Sequence, residues 1–158
     1  MLNIVLVEPE IASNTGNIAR TCACIGAKLH LVYPLGFQLS DKKVKRSGLD
    51  YWDKVEVKRW RSLEEFVDNI SSTSAFPKNM HLFTGRCKNS LFKTHFKDSD
   101  YLIFGRETAG LPIYFMKKYK NECVRIPMLD NLRSLNLSNS VAIAAYEAIR
   151  QINYTDLI

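Results

Sequence analysis

Short apolar runs rich in β-branched residues recur along the chain, and segments with helical spacing separate them. Runs that are apolar on both faces are typical of strands in a parallel sheet covered by helices. The alternation therefore predicts an α/β fold with a mostly parallel sheet flanked by helices. The expected strands are residues 3–7, 29–33, 80–84, 101–104 and 124–126.

Length and composition limit the class of protein. The 158 residues, 46% hydrophobic and 24% charged, predict one globular domain over residues 1–158 that needs no metal or disulfide to hold its core. The N-terminal apolar run is too short for a signal peptide, and no run is long enough to cross a bilayer, so no membrane association is expected. The four cysteines lack paired CxxC spacing, which predicts reduced thiols, no metal site and a cytoplasmic location.

The net charge indicates the kind of partner. A formal charge of +6 favours an anionic partner such as nucleic acid over a neutral metabolite. The basic groups Lys42, Lys43, Lys45 and Arg46 precede the aromatic pair at 51–52, and residues 58–61 repeat the mixture. Such a mixture can neutralise phosphates and stack unpaired bases. The alternative is a solvated helix face with the aromatic rings in the core, and both interpretations remain open.

Polar residues follow the first expected strand. A helix is expected from Asn14, and Gly26 ends it. A strand that leads through a polar loop into a helix is the usual setting of a site in an α/β sheet. Residues 14–17 could cap this helix, and Arg20 lies six residues after Asn14, so the two point in different directions on an ideal helix. Spacing alone favours a cap and a solvated Arg20.

A glycine-containing loop follows the 101–104 run. Gly105 and Gly110 allow the backbone to approach a ligand closely, and Pro112 suits a helix start. The loop has neither the GxGxxG pattern nor a Walker Lys-Ser or Lys-Thr. This argues against the common nucleotide-binding folds.

The last quarter of the chain is a polar loop followed by a long helix. Ser134, Asn136, Ser138 and Asn139 crowd the start of this helix and exceed what capping needs. They indicate a surface for a polar ligand, with an over-capped helix as the alternative. The helix is apolar on most sides and needs two neighbours, the second of which is either the same subunit or another copy of it.

Three motifs together resemble those of the SPOUT superfamily of RNA ribose methyltransferases: Asn14-x-Gly-Asn-Ile-Ala-Arg20, Phe104-Gly-Arg-Glu-x-x-Gly-Leu111, and Arg125-Ile-Pro-Met with Arg133-Ser-Leu-Asn-Leu-Ser138. Their order and spacing match over nearly the whole chain. The short length, Glu8-Pro-Glu10 and residues 46–51 most resemble the minimal branch of the superfamily. That branch methylates the 2′-hydroxyl of the wobble nucleotide, a cytidine or a modified uridine, in tRNA.

The resemblance implies a C-terminal trefoil knot, a homodimer, S-adenosyl-L-methionine as cofactor, and the anticodon stem-loop of tRNA, with leucine isoacceptors expected, as RNA partner. The implied catalytic or substrate-contacting residues are Asn14, Arg20, Glu107, Ser134 and Asn136. The implied cofactor-binding residues are Phe83, Thr84, Gly85, Gly105, Glu107, Gly110, Leu111, Ile126, Met128, Ser134 and Leu135. The expected RNA-binding residues are Arg20, Lys42, Lys43, Lys45 and Arg46. Arg106 lies where relatives often carry Ser or Pro, which leaves open a contact to RNA or cofactor that is particular to this protein.

The chemistry fits these residues. Methyl transfer from a sulfonium is an in-line displacement that needs alignment rather than a metal. A guanidinium stays protonated, so Arg20 is expected to orient a phosphate and lower the proton affinity of the hydroxyl. The alternatives are a catalytically silent module that binds cofactor and RNA, a 2′-O-methyltransferase for another RNA site, and a small-molecule α/β enzyme. Intact Asn14, Arg20 and Glu107 count against the silent module, and the basic surface counts against the small-molecule enzyme.

Overall fold

The computed structural model describes residues 1–39, 51–130, 132, 134–152 and 157, in which six strands and four α-helices alternate. The strands are β1 Asn3–Val7, β2 Lys28–Val32, β3 Val57–Trp60, β4 Met80–Phe83, β5 Tyr101–Phe104 and β6 Cys123–Val124. The helices are α1 Ala12–Ile25, α2 Leu63–Ser71, α3 Ile113–Lys118 and α4 Leu137–Ile152. Single 3₁₀ turns lie at Trp52–Lys54, Leu91–Lys93 and Lys120–Glu122.

The strands form one sheet in the order β3-β2-β1-β5-β4-β6, and every pair in it is parallel. This confirms the predicted α/β class. The first strand lies between β2 and β5, so the strand order reverses direction there. In open α/β sheets ligands bind beyond the carboxyl ends of the strands near such a reversal.

Sequence patterning missed one strand. Strand β3 carries the exposed Lys58 and Arg59 and lies at the edge of the sheet, where charged side chains reach water. The Trp60 ring packs against the protein and is not free to stack on a base. Its indole donates a hydrogen bond to Nδ1 of His30 at 3.1 Å and stacks on that imidazole. The alternation signal is weak in a four-residue edge strand, which explains the omission.

Helices cover both faces of the sheet. On one face Leu6 and Leu29 pack with Ile18 of α1 and Ala145 of α4. On the other face Val7 and Leu82 pack with Phe66 of α2 and Phe115 of α3. Both sets are almost completely buried, which explains why the central strands have no polar alternation.

The helix boundaries differ from prediction at one point that matters. Helix α1 begins at Ala12, two residues before Asn14, and ends at Gly26 with a φ of 65° as expected. Asn14 therefore lies inside the first turn rather than capping it. Helix α2 is capped by Ser62, whose Oγ accepts from the Glu65 N–H at 3.2 Å. Within the described residues, no helix is long and apolar enough to cross a membrane.

Candidate active site

A cleft of about 950 Å³ opens beyond the carboxyl ends of β4 and β5. Phe83 and Phe104, the last residues of these two strands, form its apolar floor, with ring centroids 4.6 Å apart and nearly parallel planes. The start of α4 supplies a further wall through Leu137 and Ser140. The cleft thus lies where an α/β sheet usually binds its ligand.

Three loops complete the walls, and they carry the residues singled out from sequence. All the predicted cofactor-binding residues line this one cleft: Phe83, Thr84, Gly85, Gly105, Glu107, Gly110, Leu111, Ile126, Met128, Ser134 and Leu135. The predicted catalytic residues Asn14 and Asn136 line it as well. Segments far apart in sequence therefore converge as predicted. The role of each residue remains a prediction.

A chain of hydrogen bonds links Glu107, Asn14 and Asn136. Asn14 Nδ2 donates to Glu107 Oε1 at 3.0 Å, and Asn136 Nδ2 donates to Asn14 Oδ1 at 3.0 Å. Asn14 is buried, with a relative exposure of 5%. The chain fixes the orientation of both amides, because each can act in only one sense toward its neighbour.

The same residues cap two helices. The Glu107 carboxylate accepts from the backbone N–H groups of Glu10 at 2.8 Å and Ile11 at 3.1 Å, where α1 lacks a side-chain cap of its own. Asn136 Oδ1 accepts from the Ser138 N–H at 2.9 Å and caps α4. The negative charge at the start of α1 is favoured by the helix dipole. Glu107 and Asn136 thus hold the starts of two helices and also shape the site. Among the polar residues at the start of α4, Asn136 is the one whose side chain caps the helix.

The loop between β5 and α3 is closed tightly by its own backbone. Arg106 and Gly110 exchange hydrogen bonds of 3.2 and 2.9 Å. A Cβ on Gly105 would lie 2.1 Å from the carbonyl carbon of Gly110, and Gly110 has a φ of 71°. Both glycines are therefore required by the shape of the loop itself, whatever binds beside it.

A second set of contacts, which the sequence did not reveal, holds this loop to the start of α1. The Glu10 carboxylate accepts from the Thr108 N–H at 3.0 Å and from its hydroxyl at 2.8 Å. Glu8, with a φ of 52°, forms an ion pair with Arg106. Arg106 thus contacts protein and also lines the cleft, so the contact to RNA or cofactor that the sequence left open stays a prediction. The only available signal was the Glu8-Pro-Glu10 segment, which by itself does not indicate a partner.

Arg20 does not reach the cleft of its own chain. It is exposed, and its guanidinium carbon lies 5.0 Å from the centre of the Tyr51 ring, which Lys54 also approaches at 5.7 Å. Since Asn14 lies within α1, the six-residue spacing turns the two side chains to different sides of the helix. The other expected RNA-binding residues, Lys42, Lys43, Lys45 and Arg46, lie outside the described residues.

Metal ligands are sparse around this cleft. Among the residues that the structure describes, no three His, Cys, Asp or Glu side chains come together as a metal site would require. The cleft instead presents an aromatic floor, glycine-containing loops and one fixed carboxylate. Such a lining suits a small ligand with both apolar and polar parts.

The fold and cleft define an α/β protein with a ligand site at the carboxyl edge of its sheet. The chain belongs to the SpoU rRNA methylase family, whose model matches residues 1–146. It is 48% identical to a putative tRNA (cytidine(34)-2′-O)-methyltransferase of Bacillus subtilis, covering 99% of this chain and 96% of that one. A tRNA (cytidine(34)-2′-O)-methyltransferase of Aeromonas hydrophila is 47% identical, with 98% and 96% covered. The resemblance inferred from the three motifs is confirmed.

Solved structures agree with this membership. One that concerns 2′-OH methylation of C/U34 on tRNA has a TM-score of 0.85 at 44% identity, covering 96% of this chain and 95% of that one. A SpoU methyltransferase from Streptomyces viridochromogenes in complex with the cofactor AdoMet has a TM-score of 0.82 at 27% identity, covering 96% of this chain and 57% of that one. The similarity thus extends to a relative that binds the predicted cofactor.

Proposed function

We propose that this chain transfers a methyl group from S-adenosyl-L-methionine to the 2′-hydroxyl of the wobble nucleotide, a cytidine or modified uridine at position 34 of tRNA. The observation that carries the proposal is the hydrogen-bonded series Asn136–Asn14–Glu107 at the edge of a cleft lined by three loops. Relatives that match nearly the full chain at 47–48% identity carry this activity in their names.

The cleft fits the cofactor in size and chemistry. A volume of about 950 Å³ lies within the range of small-molecule sites, roughly 300–1,000 Å³. The partly exposed Ile126 and Leu135 offer an apolar surface for the adenine, and the glycine-containing loops offer backbone groups for its polar edge. When bound, the cofactor supplies the methyl group as a sulfonium. The cofactor residues are those of the cleft that sequence had singled out.

The hydrogen bonds of the site position the catalytic residues. Glu107 is held by backbone donors and by Asn14, so its carboxylate is kept at one position. Ser134 is exposed on the cleft wall, where its hydroxyl can contact a ribose. Arg20 orients the phosphate of the target nucleotide and lowers the proton affinity of its 2′-hydroxyl, while a phosphate oxygen or water takes the proton. If Arg20→Lys kept near-normal turnover, a specific guanidinium role would be wrong.

A homodimer is part of the proposal. Arg20 lies away from the cleft of its own chain, so a second copy is the direct way to bring this residue to a bound nucleotide. Ile143 and Tyr146, three residues apart on α4, are 42% and 55% exposed. Exposed apolar side chains on one helix face are typical of a protein interface. They provide the surface for the second neighbour that the composition of α4 predicts.

The trefoil knot is the second structural expectation. Its support is the pairing of residue 125 with the β4–β5 connection: the Arg125 N–H donates to Asn89 at 2.7 Å, and its carbonyl accepts from Leu91 at 2.8 Å. Further along, Gln151 at the end of α4 bonds the same connection at Thr94 and Phe96. A C-terminal segment threaded through the β4–β5 connection would contact it both at Arg125 and at Gln151. Stretching the unfolded protein by its two ends should then give a shorter extended length than that of an unknotted chain with the same number of residues.

The RNA contacts complete the proposal. The basic residues Lys42, Lys43, Lys45 and Arg46 bind the anticodon stem-loop of a cytoplasmic tRNA, with leucine isoacceptors as the expected substrates. Support comes from the net charge of +6, because phosphate contacts dominate such binding. Charge reversal at these four positions should weaken tRNA binding and flatten its salt dependence. Unchanged affinity and salt dependence would dispose of this part.

The deciding experiment is transfer of a tritiated methyl group from S-adenosyl-L-methionine into total tRNA that lacks wobble ribose methylation, followed by nuclease digestion and mass spectrometry. A 2′-O-methyl group at position 34 supports the proposal. Methylation at another nucleotide would keep the chemistry and refute the substrate. Cofactor binding without transfer would favour the silent RNA-binding module.

A further inference from the structure

A second surface lies outside the cleft, on the connection between β4 and β5. Residues 86–97, called here the basic ridge, contain four Lys or Arg residues and no Asp or Glu. The cations, all exposed, are Arg86, Lys88, Lys93 and Lys97. A sequence with this charge attracts an anionic partner.

The ridge also exposes an aromatic ring. Phe92 is 73% exposed, while its neighbours Leu91 and Phe96 are buried at 0% and 6%. The 3₁₀ turn at Leu91–Lys93 is capped by Ser90, whose hydroxyl accepts from the Phe92 N–H at 3.2 Å. Phe92 is therefore held outward by an anchored turn. A bare aromatic ring among cations is the combination that stacks unpaired bases.

An open groove of about 440 Å³ runs between this ring and the end of α4. Phe92 and His95 form one side, and Arg150 and Gln151 form the other. Gln151 fixes the groove, because its amide accepts from the Phe96 N–H and donates to the Thr94 carbonyl, both at 3.0 Å. The Glu147 carboxylate on α4 accepts two hydrogen bonds from Arg150 at 2.9 and 3.0 Å, and Asp98, which follows the ridge, pairs with the N-terminal amine.

The cleft lies at the start of α4 and the groove lies at its end. Ser140 of the cleft and Gln151 of the groove are eleven residues apart on α4, which is three turns and returns to the same helix face. Their separation along the axis is about 16 Å at a rise of about 1.5 Å per residue. Arg86 lines the cleft and starts the ridge. A strand with its reacting nucleotide in the cleft can therefore continue along the ridge.

We propose that the basic ridge is an additional RNA-binding surface, in which Phe92 stacks an unpaired base of the substrate and Lys88 and Lys93 contact its phosphates. This inference rests on the proposed function, since it concerns RNA bound for methylation. It adds a site away from the cleft and from the basic residues at 42–46. The ring, the groove and the cations together carry it.

The test compares Phe92→Leu, which removes the ring and keeps an apolar side chain, with Phe92→Tyr, which keeps the ring. Binding of full-length tRNA and of an isolated anticodon stem-loop is measured by fluorescence anisotropy, beside methyl transfer. We expect Phe92→Leu to weaken RNA binding and raise the KM for tRNA about tenfold, with kcat at saturating RNA and cofactor affinity unchanged. Phe92→Tyr should behave as the wild type.

The second part of the test removes one positive charge from the ridge. Lys93→Gln should reduce the slope of log Kd against log salt by about one, as expected for one lost phosphate contact. Lys117→Gln, on the exposed side of α3, is the matched control and should leave the slope unchanged. A larger effect on full-length tRNA than on the stem-loop would assign the ridge to the tRNA body, and equal effects would assign it to the anticodon arm.

Two results would overturn the inference. The first is wild-type RNA binding by Phe92→Leu, and the second is a change in the mass of the Phe92→Leu particle in solution, which would make the ridge a contact between copies of the chain. Either result with a wild-type protein that methylates position 34 leaves the proposed function intact. A wild-type protein that transfers no methyl group to tRNA would instead contradict the proposed function.

Discussion

At the scale of single residues, Glu107 explains why the start of α1 and the cleft form together. It accepts from the two backbone N–H groups just before α1 and from the Asn14 side chain, and so holds the start of a helix that has no side-chain cap at its N-cap residue. A carboxylate in this position satisfies donors that would otherwise be left without protein partners. One residue thus stabilises the fold and orients the polar chain of the site.

The Glu107→Gln variant tests this dual role. The new amide places N–H groups against existing donors, so we expect the free energy of unfolding to fall by about 1–3 kcal/mol, with loss of methyl transfer. Urea denaturation and the transfer assay measure the two effects. Glu64→Gln is the control, because this exposed carboxylate accepts from Tyr114 on the surface, and its loss should change stability by less than about 0.5 kcal/mol. Equal stability of the two variants would refute the capping role.

A buried histidine makes stability depend on pH. His30 Nδ1 accepts from the Trp60 indole N–H at 3.1 Å, so Nε2 carries the proton and donates to Asn3 Oδ1 at 3.1 Å. Burial is the main cause that lowers the pKa of His30 from 6.5 to about 4, with a smaller contribution from Lys58. A protonated ring would also turn an N–H toward the indole donor.

The unfolded chain therefore binds a proton between pH 6.5 and 4 that the folded chain does not. Stability from the neutral ring is complete above pH 6.5 and falls with decreasing pH, with about 2 kcal/mol lost by pH 5. Urea unfolding at pH 8 and pH 5 measures this loss. In His30→Gln, which cannot titrate, the difference in unfolding free energy between pH 8 and pH 5 should shrink by that amount. An unchanged difference would show that other groups cause the acid sensitivity.

At the scale of elements, the loop from Gly105 to Leu111 is constrained from inside. We expect Gly105→Ala to force the loop open, because its Cβ would meet the Gly110 backbone at 2.1 Å. Gly85→Ala is the matched control in the same cleft, since its Cβ would have no neighbour within 4 Å. Gly105→Ala should lose several kcal/mol of stability and its cofactor affinity, whereas Gly85→Ala should keep its stability. Thermal unfolding and cofactor titration distinguish the two, and equal stability would contradict the steric explanation.

Helices and strands were predicted correctly where short-range sequence patterns determine them, and incorrectly where contacts distant in sequence do. The central strands and the end of α1 at Gly26 follow from short-range patterns, and the structure confirms them. The start of α1 was wrong by two residues because its cap comes from Glu107, far away in sequence. Strand β3 was missed because an edge strand with exposed lysine and arginine carries little apolar signal.

At the scale of the whole molecule, the exposed apolar face of α4 bears on the dimer. The proposed homodimer predicts a solution mass of twice 18.1 kDa. Ile143→Glu should give particles of single-chain mass, because a carboxylate cannot be buried there without a partner. Ile113→Glu is the control, since that side chain is 58% exposed on α3, on the other side of the sheet. Light scattering measures both variants, and a wild-type protein of single-chain mass would refute the dimer.

The sequence by itself determined the α/β class, most strands, and the set of residues that converge on the cleft. Those features follow from apolar periodicity and from three motifs whose order matches a family. Only the tertiary structure decided that Glu107 caps α1, that Glu10 binds Thr108, and that Arg106 pairs with Glu8. These contacts join residues more than ninety positions apart, and neither spacing nor composition encodes which side chains meet across that separation.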